Sequence, residues 1–362
     1  MLVSELPPIF VRVLAFVFGA LWGSCFNVAV YRWPRGLSVV HPPSACPACG
    51  TRIPGWRNVP IFAYLLQRGR AACCGAKLTP RYAVVEIVSA LIMVAIAERY
   101  FIAAEPGADA SLAALECLLW FAFAGALLIA TFTDLEWMEI PDEVSVGGTA
   151  LGLATAAFRS GYTLEEIVLG AGGGYLLVQL VIVWSWARLT GREGMGGGDP
   201  KLMMLIGAFL GWRGVLFALV AGSFQGIVAW GVATATGSKI GPSQDELPEF
   251  EAFGRKIDPL TGRLLEKVAG SESETESDSD SVSETDSVSE TDSVSETDSV
   301  SETDSVSETD SVSETETGTE TDSETAADPD RAVIPFGPFL ALGALEFLFF
   351  GNTIVEWYLS IF

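Results

Sequence analysis

The chain has 362 residues, half of them hydrophobic, and a formal net charge of −24. The charge is concentrated in one segment: residues 241–330 hold 28 acidic and four basic residues, and the rest of the chain carries 17 of each. A body without excess positive charge excludes a nucleic-acid-binding protein, which needs basic surface against phosphate. An apolar, neutral body interrupted by one acidic segment is typical of a polytopic membrane protein.

Eight apolar stretches, most of them near the length that spans a bilayer, follow one another along the chain. They cover residues 9–31, 82–102, 112–133, 144–158, 164–187, 202–212, 214–236 and 333–350. No charged region precedes the first stretch and no small-residue cleavage site follows it, so we expect a retained helix and not a signal peptide. The sequence therefore predicts an all-α polytopic membrane protein with about eight transmembrane helices.

A basic loop follows the first stretch. Residues 32–81 contain eight Lys or Arg and no acidic residue. Because positively charged loops stay on the cytoplasmic side, this loop is predicted to be cytoplasmic and the N-terminus to lie outside. Counting eight crossings then places residues 133–143, residues 188–201 and the acidic segment on the cytoplasmic side as well.

The acidic segment, 241–330, is read as an insert between two apolar stretches. Residues 281–310 are five consecutive copies of Ser-Val-Ser-Glu-Thr-Asp, and a sixth at 311–316 differs only at its last position. Such a repeat has nothing to bury and its charges repel one another, so we predict a disordered, extended segment. Composition favours a solvated spacer, and the alternative is an electrostatic attractor for basic partners at the membrane surface.

The cysteines fall into two groups. Two of them, Cys25 and Cys117, lie in apolar stretches and are predicted to be buried thiols. The other four lie in the basic loop, at Cys46, Cys49, Cys73 and Cys74. A loop that faces a reducing compartment does not favour disulfides, whereas two cysteine turns with this separation are typical of thiolate-bound Zn²⁺. A reduced cysteine cluster without metal is the alternative.

The second cysteine turn departs from the spacing of the first. The first turn reads Cys-x-x-Cys-Gly, and a matching second turn would need cysteine at position 71, where Ala71 stands. Two adjacent cysteines, such as Cys73 and Cys74, are less well placed to bind the same zinc ion than two cysteines in a Cys-x-x-Cys turn. The fourth zinc ligand is therefore left open between Cys73, His41 and water.

Two aspartates lie where apolar stretches meet the predicted cytoplasmic face. Asp134 follows the third stretch, and Asp199 ends a run of glycines before the sixth. Ionisable groups at membrane depth are costly and point to function. Two carboxylates on one face can share a proton between acid and base roles, as aspartic proteases require. The alternative is that both cap helix N-termini, where carboxylates are favoured.

Several motifs together resemble one family. The segment Gly-Met-Gly-Gly-Gly-Asp-Pro-Lys-Leu at 194–202 is similar to the Gly-x-Gly-Asp motif of bacterial type IV prepilin peptidases, which are bifunctional leader peptidase/N-methyltransferases. Residues 23–32, the cysteine loop, residues 80–86 and residues 334–343 add motifs of that family in the same order. The resemblance extends from about 18 to 351, without the insert.

The resemblance implies an eight-helix aspartic protease of the bacterial inner membrane, with its active site facing the cytoplasm and no metal needed for proteolysis. It implies removal of a short basic leader from type IV prepilins and type II secretion pseudopilins. The new N-terminal residue is then methylated with S-adenosylmethionine as the donor. The implied partners are these substrates and the lipid bilayer.

The resemblance also assigns residues. The implied catalytic residues are Asp134 and Asp199, with Gly196, Gly198 and Lys201 as supporting motif residues. Asp142 would be the non-catalytic acid of a Pro-Asp pair. The implied zinc loop matches at Cys46, Cys49 and Cys74 and departs at Ala71.

The same resemblance divides the chain into four regions. Residues 1–110 form the methyltransferase-associated region with the cysteine loop at 32–81, and residues 111–240 form the peptidase core. Residues 241–330 are the insert, and residues 331–362 complete the core with a last helix.

Two other functions stay open at this point. One is a Gly-x-Gly-Asp protease of the presenilin or signal-peptide-peptidase type, which cuts within a transmembrane helix. Those families carry Tyr-Asp on the preceding helix, and this chain has Thr133-Asp134. The other is an inactive membrane scaffold whose acidic arm recruits partners, for which the irregular second cysteine turn is the support.

Overall fold

The computed structural model describes residues 3–41, 43–46, 48–55, 59–105, 107–190, 196–237, 250–251, 255–257, 264–267 and 335–359. These residues belong to one compact unit, Met1–Lys267 with Pro329–Phe362. The hexapeptide repeats, which are predicted to be disordered, lie outside the described residues, as do positions 194–195 of the glycine motif and 333–334 of the last apolar stretch.

Helices make up most of the described structure. The α-helices are α1 (Pro8–Arg32), α2 (Phe62–Leu66), α3 (Arg81–Ala97), α4 (Ala110–Trp137), α5 (Asp142–Ala154), α6 (Leu164–Leu176), α7 (Ser185–Thr190), α8 (Gly198–Thr236) and α9 (Gly337–Leu359). Shorter helical segments are Val3–Glu5, Trp33–Arg35, Glu98–Ile102, Ala156–Phe158 and Leu177–Trp184, the last of which joins α6 to α7.

A small antiparallel sheet is the other regular element. Its strands are β1 (Phe250–Glu251), β2 (Arg255–Ile257) and β3 (Leu264–Lys267), in the order β1-β2-β3. They fall inside the range predicted as the acidic insert and precede its repeats. Apart from them, the regular elements of the described residues are helical, as the sequence predicts.

Four helical stretches are long and apolar enough to cross a membrane, namely Pro8–Arg35, Ala110–Trp137, Leu164–Thr190 and Gly198–Thr236. The first three each coincide with one predicted apolar stretch, and Gly198–Thr236 covers two of them. The shorter α3 and α5 have 17 and 13 residues, and Gly337–Gly351 is a further short apolar helix.

Helix α8 is broken in the middle. It has 39 residues, which at about 1.5 Å each would reach nearly 60 Å, twice the bilayer core. Gly211 interrupts it with φ 64° and ψ −174°, a conformation that favours glycine. The carbonyls of Ala208 and Phe209, next to the break, accept hydrogen bonds from the buried Arg159 guanidinium at 2.9 Å each. The two predicted stretches at 202–212 and 214–236 are thus the two halves of α8.

Glycines allow helices to approach closely at two places that position the core. A Cβ on Gly19 or Gly23 of α1 would lie 2.7 Å from the α3 backbone, at Ala90 and Glu86 respectively. On α6, a Cβ on Gly170 would collide with the α8 backbone at Gly207. These contacts hold α3 against α1 and the first half of α8 against α6.

The two thiols predicted to be buried differ. Cys117 is buried, whereas Cys25 is exposed on α1. The prediction for Cys25 is wrong, because an apolar helix in a membrane protein also turns one face outward and the sequence of α1 is apolar all round.

Candidate active site and cysteine cluster

Asp134 lies near the C-terminal end of α4. The helix stops at Trp137 because Met138 takes a left-handed conformation (φ 54°) and its N–H bonds to the Asp134 carbonyl at 3.0 Å. The Asp134 side chain is 7% exposed, and its Oδ2 accepts a hydrogen bond from the backbone N–H of Gly337 at 2.8 Å. Because Asp134 lies near the C-terminal end of α4, it does not cap the N-terminus of a helix. The alternative prediction of a capping role is therefore wrong for this residue.

Asp199 lies in the first turn of α8 and is 6% exposed. Its own N–H bonds to the carbonyl of Gly196 at 3.3 Å, which closes the turn at the helix start. The Asp134 carboxylate is therefore held by the backbone of Gly337, whereas Asp199 is held through its own backbone at the turn that Gly196 closes.

The structure brings the two aspartates to one cavity of about 310 Å³. Its lining contains the predicted catalytic and supporting residues together: Asp134, Met138, Glu139, Ile140, Asp142, Gly196, Gly197, Gly198, Asp199 and Lys201. The two carboxylates are close enough for their charges to interact. Residues 65 positions apart in the sequence thus form one acidic site at one end of the helix bundle.

Asp142 and Lys201 form the rim of this cavity. Lys201 Nζ lies 2.5 Å from Asp142 Oδ1, and the Asp142 side chain is 62% exposed. This ion pair joins the start of α5 to the start of α8. Glu139 lies in the connecting turn, where burial and the charges of Asp142 and Glu143 raise the pKa of its carboxyl group.

The glycines before Asp199 differ in what surrounds them. A Cβ on Gly198 would lie 3.0 Å from Cβ of Ile140, whereas a Cβ on Gly197 would meet nothing within 4 Å. A Cβ on Gly196 would lie 3.9 Å from Asp199 Oδ2, an ordinary contact. Packing is therefore tightest at position 198, where a side chain would press on Ile140.

Two arginines connect the ends of the basic loop to the end of α4. Arg81 forms an ion pair with Glu136, and Arg35 stacks on the ring of Trp137 at 4.2 Å from its centroid. Both contacts fall within three residues of Asp134. The basic loop and the aspartates therefore lie at the same end of the bundle.

The cysteine loop contains two turns of the same backbone geometry. In the first, Cys46 N–H bonds to Thr51 O and Gly50 N–H bonds to Cys46 O, at 2.9 Å each. In the second, Ala71 N–H bonds to Ala76 O at 2.8 Å and Gly75 N–H bonds to Ala71 O at 2.7 Å. Residues 46 and 71 are thus equivalent, as are 49 and 74, and Ala71 stands where a regular pair of turns has its third cysteine.

Cys73 supplies the sulfur that position 71 lacks. The four Sγ atoms of Cys46, Cys49, Cys73 and Cys74 lie within 4.8 Å of one another, and His41 is not in this group. The Cys46–Cys74, Cys49–Cys73 and Cys73–Cys74 sulfur distances are 3.8, 3.4 and 3.9 Å. A tetrahedral Zn²⁺ with Zn–S bonds near 2.3 Å separates its sulfurs by about 3.8 Å, so the cluster has the dimensions that the ion needs.

Hydrogen bonding favours the metal-binding form of one of these thiols. The hydroxyl of Thr51, 3.3 Å from Cys49 Sγ, and its backbone N–H lower the pKa of Cys49 to about 6. The thiolate is the form of cysteine that binds metal.

Two contacts in the structure were not predicted from the sequence. Gly337 lies in the family motif at 334–343, but its bond to Asp134 depends on the return of α9 to the site. The Gly-Pro pair at the start of the helix was the one sequence feature that pointed to a special role for this position. Arg159 lies between two predicted apolar stretches. A lone arginine at such a position could have been predicted to be buried and to donate hydrogen bonds to backbone carbonyls.

Comparison with known protein families covers both halves of the helical body. Residues 17–100 match the Bacterial Peptidase A24 N-terminal domain, and residues 121–231 match the Type IV leader peptidase family. The second match contains both aspartates, and the first contains all four loop cysteines. No solved structure matches the chain significantly.

Curated relatives carry one name. A prepilin leader peptidase/N-methyltransferase of Pseudomonas putida is 35% identical over 241 residues, which cover 60% of this chain and 80% of the relative. A protein of the same name from Aeromonas hydrophila is 33% identical over 59% of this chain and 79% of the relative. Another from Myxococcus xanthus is 30% identical over 67% of this chain and 71% of the relative. The chain therefore belongs to the bacterial type IV prepilin leader peptidase/N-methyltransferase family, the A24 aspartic peptidases.

Proposed function

We propose that Asp134 and Asp199 are the catalytic residues with which this prepilin leader peptidase/N-methyltransferase cleaves its substrate. The observation that carries the proposal is that both carboxylates are buried and line the same cavity. The family relationship assigns the peptidase activity to the chain. The shared cavity supports the proposal that Asp134 and Asp199 carry out the cleavage.

The chemistry follows from two interacting carboxylates. Such a pair holds a single proton, so one carboxylate takes a proton from the attacking water while the other carboxyl group donates one to the carbonyl oxygen of the scissile bond. The tetrahedral intermediate then collapses as the amine leaves with a proton. The backbone N–H of Gly337 keeps the Asp134 side chain in place for both steps.

The charge of the cavity supports a basic substrate. Its lining has four acidic side chains and one lysine, and that lysine is already paired with Asp142. A basic leader brought to this site gains favourable electrostatic contacts beyond those of its backbone. Type IV prepilins and, as a second group, type II secretion pseudopilins are the substrates that we propose.

Orientation in the bacterial membrane is proposed from the basic loop. The proposed topology has eight crossings, which would be α1, α3, α4, α5, α6 with α7, the two halves of α8, and α9. Because the loop ends contact the end of α4 close to Asp134, a cytoplasmic loop carries the active site to the cytoplasmic face. A basic leader that has not crossed the membrane meets the site there.

Zinc is the metal that we propose for the cysteine cluster. Cys46, Cys49, Cys73 and Cys74 would hold it, and it would supply structural order to the loop, leaving proteolysis metal-independent. The irregular second turn was the support for an inactive scaffold. With Cys73 beside the other three sulfurs, that support disappears.

S-adenosylmethionine is proposed as the methyl donor by family resemblance. The donor supplies an electrophilic methyl group to the new N-terminal amine. The region that matches the N-terminal domain, residues 17–100, is the part of the chain to which we assign this second reaction.

A single experiment tests both activities. The purified protein in detergent is incubated with a prepilin whose basic leader ends in glycine before phenylalanine, with and without S-adenosylmethionine, and product masses are recorded. We expect the mature mass without the donor and that mass plus one methyl group with it. A folded protein that leaves the prepilin intact would contradict the proposal.

A further inference from the structure

The last helix of the chain contributes to the peptidase site although the family match at 121–231 ends before it. Helix α9 starts at Gly337, and the N–H of this residue donates to Asp134 Oδ2 at 2.8 Å. About 100 residues, including the acidic insert, separate α9 from α8 in the sequence. The contact therefore depends on the return of a remote segment.

The start of α9 leaves this one donor for Asp134. Pro338, the second residue of the helix, has no N–H. The N–H groups of Phe339 and Leu340 both bond to the carbonyl of Phe336, at 3.1 and 3.3 Å. In the first turn of α9, Gly337 is thus the residue whose N–H is directed to another helix.

The space around Gly337 leaves no room for a side chain. A Cβ at this position would lie 2.7 Å from Asp134 Oδ2, 3.2 Å from Asp134 Cγ and 3.2 Å from Cδ1 of Ile140. Contacts below 3.0 Å essentially do not occur, so either α9 or the Asp134 side chain would have to move.

Packing holds α9 in place. Gly222 of α8 accommodates the backbone of Phe339, and a Cβ there would lie 3.1 Å from that backbone. Further along, Gln225 Nε2 donates to Glu346 Oε2 at 2.9 Å. Because these contacts with α8 hold α9 from its first turn onward, we expect a side chain at position 337 to displace the carboxylate of Asp134 and not the helix.

We propose that Gly337 is a positioning residue for proteolysis: its N–H orients the Asp134 carboxylate, and its missing side chain leaves the space that this carboxylate occupies. The inference rests on the proposed catalytic role of Asp134. It makes the segment after the insert a necessary part of the peptidase site.

The test is Gly337→Ala in the full-length enzyme. Because a displacement near 1 Å at a catalytic group costs about 100-fold in rate, we expect kcat for prepilin cleavage to fall by about that factor while KM stays within about twofold. Methylation of a synthetic peptide that already starts at the mature N-terminus should be retained, since this reaction does not need Asp134. Gly226→Ala is the matched control, because its Cβ would make ordinary contacts of 3.5 Å or more with Phe336 and Phe339.

Three outcomes are informative. A Gly337→Ala enzyme that cleaves at the wild-type rate, beside an inactive Asp134→Asn enzyme, would overturn the role of Gly337 alone. Loss of peptide methylation together with cleavage would also overturn it, because the effect would then be one on folding. Wild-type cleavage by Asp134→Asn would instead contradict the proposed catalytic residues.

Discussion

Replacement of either Asp134 or Asp199 by asparagine should lower kcat for prepilin cleavage by about 10²- to 10⁴-fold, the range that a positioned acid or base contributes. Asparagine preserves the size of the side chain but cannot exchange a proton. Both residues are almost fully buried and face one cavity, whereas Asp142 in the same lining is exposed and paired with Lys201. Cleavage kinetics with a purified prepilin measure the effect.

Asp142→Asn is the matched control, because Asp142 lines the same cavity but is 62% exposed and pairs with Lys201. An exposed ion pair contributes up to about 1 kcal/mol, so we expect at most about a fivefold change in kcat/KM. Equal losses for Asp142→Asn and Asp199→Asn would show that the cavity needs negative charge in general, which contradicts the assignment of a specific catalytic pair.

The second large effect concerns zinc. The wild-type protein should contain about one zinc per chain, and Cys73→Ser should remove most of it, because a structural site needs four ligands. Moving the thiol to the equivalent position of the second turn, in the double variant Ala71→Cys/Cys73→Ser, should restore the metal. Elemental analysis of the purified variants gives the zinc content.

Cys25→Ser serves as the control for this series, because Cys25 is a single thiol on α1 and not part of the cluster. It should retain the zinc of the wild type. Full zinc in Cys73→Ser would mean that another group is the fourth ligand, and His41 or water would return as candidates. An unrestored double variant would contradict the equivalence of positions 46 and 71.

The sequence predicts much of this site because its chemistry is local. Asp199 and its glycines are contiguous, and Asp134 ends an apolar stretch, so each could be recognised without knowing what it touches. The crossing count predicts both on one face, and in the structure both line one cavity. The four cysteines were also recognised from their spacing, although only the structure shows that Cys73 and not His41 lies with the others.

The remaining features depend on contacts between segments that are far apart. The N–H of Gly337 reaches Asp134 from about 200 positions away in the sequence, and the Arg159 guanidinium reaches α8 carbonyls about 50 positions away, so local sequence does not identify either partner. The break at Gly211 separates two predicted stretches, but a glycine inside an apolar run does not by itself distinguish a kink from a loop. The exposure of Cys25 is set by which face of α1 meets α3, and an evenly apolar helix does not reveal that face.

One measurement tests most directly whether the two aspartates act as a unit. Residual cleavage by Asp134→Asn, Asp199→Asn and the double variant is followed over long incubations by product mass. Because residues that share one proton lose their function together, we predict that the double variant cleaves no more slowly than the slower single variant. A double variant whose loss equals the product of the two single losses would show two independent groups and contradict the account.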